Sequence, residues 1–421
     1  MKNKRFLITQ NSLRMLAGSE LVTLELASYL QSQGAKVIVY TCFFGNPIKN
    51  IFDKRNIEVI DKQDAKLELK DFDYIWVHHQ ILPKSILEGL SKRLPENMPK
   101  FIFFHMSKLD YVPLEQPFIF GLEEKIASKI IFNSQETKDS LIDRFFSDLS
   151  NNFELFRNPA PVEFSKLPNH TYSKTPKNIL VVSNHLCPEI IEVKEKLQGQ
   201  RVNVVGLGDG LDKNSIISAE YLSTFDLVIT IGKTVQYCLC ANVPVYVYDH
   251  FGGPGYLSED NIKIASDYNF SGRGFSKKTS KQIIKEIIDG YSIVVKFQMD
   301  SRGEFIKMFS INNILSNMLN NIKEKKIYRL DDEKYVNYLF SISRLVFSNM
   351  FDIHKLISDN ILNLDRLSCL TRELSYCNKK NLNNNDEIVK RDKNILSITK
   401  SRSYKIGKFI TAPYRFFKGG L

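Results

Sequence analysis

The stretch FDLVITIGKTVQYCLCANVPVYVYDHFGGPG, residues 225–255, reads as strand, turn, helix, strand and glycine-rich loop. Leu227–Ile231 and Val243–Tyr248 are apolar runs rich in β-branched and aromatic residues, the pattern of strands buried on both faces. Between them Gly232-Lys233-Thr234 opens a helix that runs to about Ala241. A buried strand, a helix and a second buried strand make a βαβ unit. Its connection is right-handed, and its ligand-binding loops lie at the carboxyl ends of the strands.

The same alternation extends in both directions. Upstream of residue 150 the strand candidates are Phe6–Thr9, Lys36–Thr41, Ile57–Ile60, Tyr74–Val77, Phe101–Phe104 and Ile130–Phe132. Ile179–Val182 and Val202–Val205 complete a second series with the two strands already quoted. Amphipathic segments separate them. Glu20–Gln33 places Leu21, Leu24, Glu25 and Tyr29 at helical spacing, with Ser19 as its N-cap and Gly34 as its C-cap. Asn158–Lys177 holds Pro159, Pro161, Pro168 and Pro176 and few apolar residues, so it reads as a linker. The expected fold is therefore α/β, with two doubly wound Rossmann-like domains, residues 1–160 and 170–322, facing a cleft. Asp300–Ile322 and Tyr335–Ile357 look helical, and Arg344 and Asp352 argue against a membrane span in the latter. Residues 323–392 are expected to form a helical extension, interrupted by the polar Asn381–Asp386, and residues 393–421 a basic tail.

Composition narrows the function classes. A chain of 421 residues, 25% charged and 43% hydrophobic, is neither disordered nor collagen-like nor a simple coiled coil. Its net charge of +11 raises nucleic acid, anionic membrane or phosphorylated substrates as partners. No run of eighteen apolar residues suggests a transmembrane helix, and the apolar stretch after Arg5 is too short for a signal-peptide core. The six cysteines form no C-x-x-C pair, so reduced buried thiols in a cytoplasmic protein are expected and a zinc site is disfavoured.

Chemistry-bearing residues gather at the strand ends. Of seven histidines, His78, His79, His105, His185 and His250 directly follow predicted strands, where imidazole can donate to phosphate oxygens or act as a base. A satisfied structural histidine is the competing reading for each. Gly18 lets a ligand approach the backbone after the first strand. Gly206-Leu207-Gly208-Asp209-Gly210 follows Val205 but lacks full dinucleotide-binding spacing. Gly232-Lys233-Thr234 offers backbone N–H groups, a cation and a hydroxyl to a phosphate. It is not a Walker A loop, because Leu227 stands where the first glycine is required. Asp249 and His250, with Gly252 and Gly253, form a loop suited to close approach of a ligand.

These segments, in this order, resemble the GT-B glycosyltransferases, especially the family 4-like bacterial enzymes that build surface polysaccharide. Ala17-Gly18-Ser19-Glu20-Leu21 looks like their acceptor-side glycine loop, and Ile130–Lys138 like their V-x-x-S-x-x-T-K strand and helix. Asn158–Val162 resembles their interdomain turn. Phe225–Thr230 and Ala241–Val245 resemble A-D-x-x-x and A-x-G-x-P-V. The resemblance covers about residues 5 to 290. The family's E-x7-E motif is absent: its second Glu falls at Tyr237, and Asn242 replaces a glycine. The donor nucleotide and the stereochemical outcome therefore stay open.

The resemblance implies that residues 1–160 are the acceptor side and 170–322 bind a nucleotide-sugar donor. Lys233, Thr234 and the helix N-terminus would hold the diphosphate without a metal or other cofactor. His105 is the candidate base facing the reacting hydroxyl, with Glu20 and Asp110 as further candidates. Gly18, His185, Gly206, Gly208, Tyr237, Asp249, His250, Gly252, Gly253 and Arg273 complete the donor-side set, and Tyr248, Asp249 or His250 would take over ribose contacts.

The tail from Lys393 holds seven basic residues and no acid, +7 of the net +11, with Ile406, Phe409, Ile410, Tyr414 and Phe417 at helical spacing. Such a segment reads as an anionic-membrane anchor rather than a nucleic-acid binder. The expectation is a cytoplasmic glycosyltransferase peripheral on the inner face of the cell membrane. It would act on a lipid-linked or growing surface glycan. A non-catalytic subunit of a polysaccharide assembly complex and a sugar-nucleotide epimerase are the rivals.

Overall fold

β1 (Arg5–Gln10) carries RFLITQ, and its Phe6, Leu7 and Ile8 are at most 1% exposed, as a central strand covered on both faces requires. The computed structural model describes residues 1–108, 115–146, 152–168, 172–184, 186–208, 215–380, 393–397 and 399–401. After β1 come α1 (Gly18–Ser32), β2 (Lys36–Thr41), α2 (Ile48–Lys54), β3 (Glu58–Ile60), β4 (Tyr74–His78) and α3 (Lys84–Ser91). Then follow β5 (Lys100–His105), α4 (Phe120–Ile126), β6 (Ala127–Phe132), α5 (Gln135–Phe145) and β7 (Phe153–Leu155). These strands form one parallel sheet in the order β3-β2-β1-β4-β5-β6-β7.

The linker carries α6 (Val162–Ser165). Beyond it lie β8 (Asn178–Val182), α7 (Pro188–Gly199), β9 (Asn203–Leu207), α8 (Ala219–Leu222), β10 (Leu227–Thr230), α9 (Lys233–Ala241) and β11 (Val245–Asp249). β12 (Gly252–Tyr256) then turns back antiparallel on β11, giving the order β12-β11-β10-β8-β9. The glycine loop expected to approach a ligand is thus an edge strand, a position that tolerates Pro254. Helices α10 (Ile262–Asp267), α11 (Ser280–Phe309), α12 (Ile311–Asn320) and α13 (Glu333–Lys380) follow, joined by loops.

Two helix boundaries correct the sequence expectation. Ser19 is not the cap of α1: the N-cap is Ala17, with no side-chain cap bond, and Glu20 turns back on the preceding backbone. Asp300–Ile322 is not one helix. α11 starts on a capping box between Thr279 and Gln282 and ends at Ser310, whose backbone is extended. There the chain pairs with the linker, Ala160 N donating to Phe309 O at 2.7 Å and Ile311 N to Ala160 O at 2.9 Å. α12 therefore lies with the first sheet, packing Ile311, Leu315 and Met318 into the core that holds Leu24 and Trp76. The second domain ends near Ser310 rather than at 322.

Both sheets belong to one compact unit, Met1–Val346; Phe347–Leu421 is a separate unit, described through the remainder of α13 and residues 393–397 and 399–401. Of the expected membrane-anchor segment 393–421, residues 398 and 402–421 lie outside the described residues, as does the break at 381–386. No helix among the described residues is long and apolar enough to cross a membrane. Cys42, Cys187, Cys238 and Cys240 are free and buried, and burial pushes the thiols of Cys42, Cys187 and Cys240 up to about 12.

Candidate functional site

In each sheet the strand order reverses once, between β1 and β4 in the first and between β8 and β10 in the second. At such a switch point adjacent loops diverge and leave a crevice at the carboxyl ends of the strands. A cleft of about 290 Å³ lies where the second sheet's crevice meets the loop after β1. Leu16, Gly18 and Leu21 line it from the first domain, Ser183, Asn184, Thr230 and Thr234 from the second. Of the residues predicted from sequence, Gly18, Gly208, Lys233, Thr234, Tyr237 and Asp249 come together here.

Gly232 makes the turn from β10 into α9 possible. Its φ of 62° and ψ of −137° suit only a residue without Cβ, and nothing lies within 4 Å of where a Cβ would stand. The first turn of α9 and the Thr234 hydroxyl thus sit beside the cleft, where an N-terminus favours an anion. Asp249 already accepts from the Ser183 hydroxyl at 3.0 Å and the His250 amide at 2.8 Å, so it anchors the loops of the switch point.

Lys233 is placed differently from the expectation. Its ammonium is 2.6 Å from Glu25 Oε2 of α1 and donates to Pro159 O at 3.0 Å, with both side chains less than a tenth exposed. It also lies 5.2 Å from the centre of the Tyr237 ring, while the Tyr237 hydroxyl donates to Glu25 Oε1. Tyr237 stacks on Phe164, ring centres 4.4 Å apart. Burial pushes the Glu25 carboxyl above its ordinary range, against the opposing charge of Lys233. It raises the Tyr237 phenol well above its own. In this state the cation assigned to a diphosphate neutralises a carboxylate from the other domain.

Glu20 sits in the first turn of α1, between the cleft-lining Gly18 and Leu21. Burial raises its carboxyl to about 7, opposed by bonds from the backbone N–H groups of Arg14, Met15 and Ala17 and by the Arg14 charge. Its Oε2 is buried and without a hydrogen-bond partner. His105, the preferred base from sequence, is instead enclosed. Its Nε2 lies 2.8 Å from Glu123 Oε1 and its ring stacks on Phe132, with Phe146 edge-on. His78 is also structural, bound to Thr23 Oγ1 and receiving the Trp76 indole N–H. His79 is buried with a left-handed backbone, and burial lowers its pKa.

Other sequence candidates serve the scaffold. Gly206 is a strand residue of β9 paired with Val181. Gly252 has φ 98°, and a Cβ on Gly253 would stand 2.0 Å from Val247 O, so these glycines admit the protein's own backbone rather than a ligand. The His250 ring packs on Phe251 at 3.9 Å, outside the residues lining the cleft. The Tyr248 hydroxyl is taken up between Lys278 N and Lys278 O. Arg273 grips Glu136 of α5 through Nε at 3.0 Å and Nη2 at 2.6 Å, tying the two domains. Lys108 adds a contact to Glu136 at 2.8 Å. Burial pushes the Glu136 carboxyl up, but Arg273 and Lys108 outweigh it and hold it below its ordinary range. His185 and Asp110 lie outside the described residues. Among the described residues no group of three or more His, Cys, Asp or Glu side chains is placed to hold a metal ion.

Sequence reasoning missed the roles of Ser183, Asn184 and Glu25. The first two follow β8 at the switch point, which fixes their position only once the strand order is known. Glu25 carried a signal: it is a charge on the apolar stripe of α1, beside Leu21, Leu24 and Tyr29.

No family model matches the chain, and no curated protein matches it. Solved structures do. A glycosyltransferase from Rickettsia africae ESF-5 aligns over 76% of this chain and 98% of its own, at 14% identity and a TM-score of 0.51. An alpha-glucosyltransferase in complex with UDP and a 13-mer DNA containing an HMU base aligns over 76% of this chain and 100% of its own, at 9% identity and a TM-score of 0.51. Anabaena Alr3699/HepE, in complex with UDP and glucose, covers 76% of this chain and 99% of its own at 12% identity and a TM-score of 0.49. At these identities the likeness is one of fold, and the fold is GT-B.

Proposed function

We propose that the chain is a glycosyltransferase that moves a sugar from a nucleotide-sugar donor to a lipid-linked or growing surface glycan. The observation that supports this most is the cleft where the second sheet's switch point, with Gly208, Lys233, Thr234 and Asp249, faces Gly18 of the first domain. A leaving diphosphate at that point would meet the N-terminus of α9, the Thr234 hydroxyl and the Lys233 ammonium. Fixed positive groups aimed at developing charge are the usual means of lowering such a barrier. We assign no metal or other cofactor to this step.

Glu20 replaces His105 as our candidate base. It lies beside the cleft-lining Gly18 and Leu21 without itself lining the cleft, one carboxylate oxygen is unpartnered, and its pKa of about 7 suits proton removal near neutrality. Residues 393–421 would hold the protein at an anionic membrane surface on the cytoplasmic face, bringing the cleft to a lipid-linked acceptor. Flotation with anionic liposomes is then expected for the full chain and not for a chain ending at residue 392. Equal flotation of both removes the membrane role.

The test of the activity is nucleoside diphosphate release from a panel of nucleotide sugars, with and without membranes carrying lipid-linked glycan. Acceptor-dependent release with one donor, strongly reduced in Lys233→Met, is expected; no release with any donor overturns it. One observation favours a second reading, a non-catalytic subunit of an assembly complex: Lys233 is occupied by Glu25, beside a Tyr237 that the resemblance sets in place of a ribose-binding carboxylate. Donor binding without turnover under all acceptor conditions assigns that reading. Release of free epimerised sugar without acceptor assigns an epimerase.

A further inference from the structure

We infer that the Glu25–Lys233 pair is a gate that keeps the donor cleft closed until a diphosphate takes the place of the Glu25 carboxylate. This rests on the reading that the cleft takes a nucleoside diphosphate, and deepens it by naming the group the ligand must displace.

The first ground is position. A second cavity of about 230 Å³ lies on the far side of the pair, lined by Glu25, Ser28, Arg55, Glu163 and Phe164. It shares Ile216 and Ile217 with the cleft of about 290 Å³. Glu25 faces the second cavity; Lys233 and Tyr237 face the first. The three side chains are thus the partition between two hollows, each below the roughly 300–1,000 Å³ typical of a ligand site. Parting Glu25 from Lys233 joins them into a space that reaches that range.

The second ground is charge. One lysine ammonium, with two of its three N–H donors on Pro159 O and Glu25, carries a single positive charge and cannot balance both a buried carboxylate and a diphosphate. An anion arriving beside Glu25 also meets Glu163, whose charge already acts on the Glu25 carboxyl. Like charges gathered in a buried site repel strongly, so anion and carboxylate bind Lys233 alternately. The consequence is selectivity. Inorganic phosphate offers only its charge, whereas a nucleoside diphosphate adds contacts along Ser183, Asn184 and Gly208 that can offset displacement of Glu25. Because Glu25 is on α1 and Lys233 on α9, the exchange also releases one tie between the domains.

The experiment is titration of UDP, GDP, ADP and inorganic phosphate into the full chain, comparing wild type with Glu25→Gln and Tyr237→Phe. The first variant removes the competing charge and keeps the hydrogen-bonding shape. The second removes the hydroxyl that holds Glu25, with no change of volume in the ring. The expected result is at least tenfold tighter binding of the preferred nucleotide to Glu25→Gln. A smaller tightening is expected with Tyr237→Phe, together with phosphate binding that emerges only in Glu25→Gln. Nucleotide binding that is unchanged or weaker in both variants overturns the gate and leaves the proposed function standing. No nucleotide binding by wild type or either variant overturns both. If Glu25→Gln fails to fold, the direction of the Tyr237→Phe effect alone decides.

Discussion

Glu20 carries a cost of burial that pH can reveal. In the folded protein its carboxyl titrates at about 7, against 4.5 for an ordinary glutamate, because burial disfavours the charged form. The folded chain therefore holds this proton more tightly than the unfolded chain. Glu20's contribution to stability is fully present below about pH 4.5 and is lost as pH rises through about 7. The change is on the order of 3 kcal/mol between these limits. Glu20→Gln keeps an acceptor for the Arg14, Met15 and Ala17 amides and removes the titration. Urea unfolding at pH 4.5 and pH 8 should show wild type losing stability relative to Glu20→Gln by that order; a difference independent of pH refutes the assignment. Lys233→Met makes the opposite kind of demand. It leaves Glu25 buried without its cation, and breaking a buried pair from one side costs about 3–5 kcal/mol. The double variant Lys233→Met, Glu25→Gln is expected to recover most of that loss in the same unfolding measurement.

The elements show why some of this architecture is legible in the residues and some is not. β1, β2, β8, β10 and β11 are built on short apolar runs, so their existence follows from the local residue pattern, while their order in the sheets does not. β7 is three half-buried residues without periodicity, and β12 is glycine and proline held in place by its partner β11. Neither has a local signal, because each is held by pairing with the preceding strand, β7 on β6 and β12 on β11, rather than by its own residue pattern. The break between α11 and α12 is likewise imposed by Ala160, whose backbone intercepts the helix at Ser310. At the site, the turn before α9 was readable because glycine, lysine and threonine have fixed physical uses at a helix start. The engagement of Lys233 by Glu25 was not, since it depends on how two domains meet. Gly232→Ala tests the turn. A Cβ has room but the backbone angles do not suit it, so the start of α9 must shift. Nucleotide affinity should fall at least tenfold while thermal stability falls by a few degrees; an unchanged affinity places the ligand elsewhere. Ser134→Ala, which removes the side chain accepting from Thr137 N at the start of α5, should cost about 1 kcal/mol in urea unfolding.

Across residues 1–346 the two sheets are joined at several places, Arg157 with Asp267 at 3.3 Å and Asn158 with Asn269 at 3.1 Å among them. The chain crosses twice, at Ala160 and Ser310, and the two crossings pair with each other through backbone bonds of 2.7 and 2.9 Å. Glu25 and Lys233 tie the domains beside the cleft. Arg273 and Glu136 form another tie, supported by Lys108 and by the Phe251 ring 5.4 Å from the guanidinium. The last two ties differ in what they should do. Glu25 competes with an anionic ligand, so removing it helps binding. Neither Arg273 nor Glu136 lines the cleft, so removing their contact should act on how often the domains meet. Arg273→Met should therefore favour the open arrangement without changing any ligand contact. Its effect should be a several-fold higher KM for the donor with kcat little altered, and a larger radius of gyration by solution scattering without donor. Adding saturating donor should return the radius to that of wild type, because ligand contacts on both sides of the cleft supply the closure that Arg273 no longer does. A fall in kcat at unchanged KM would place Arg273 at the reacting groups rather than at a tie between the domains.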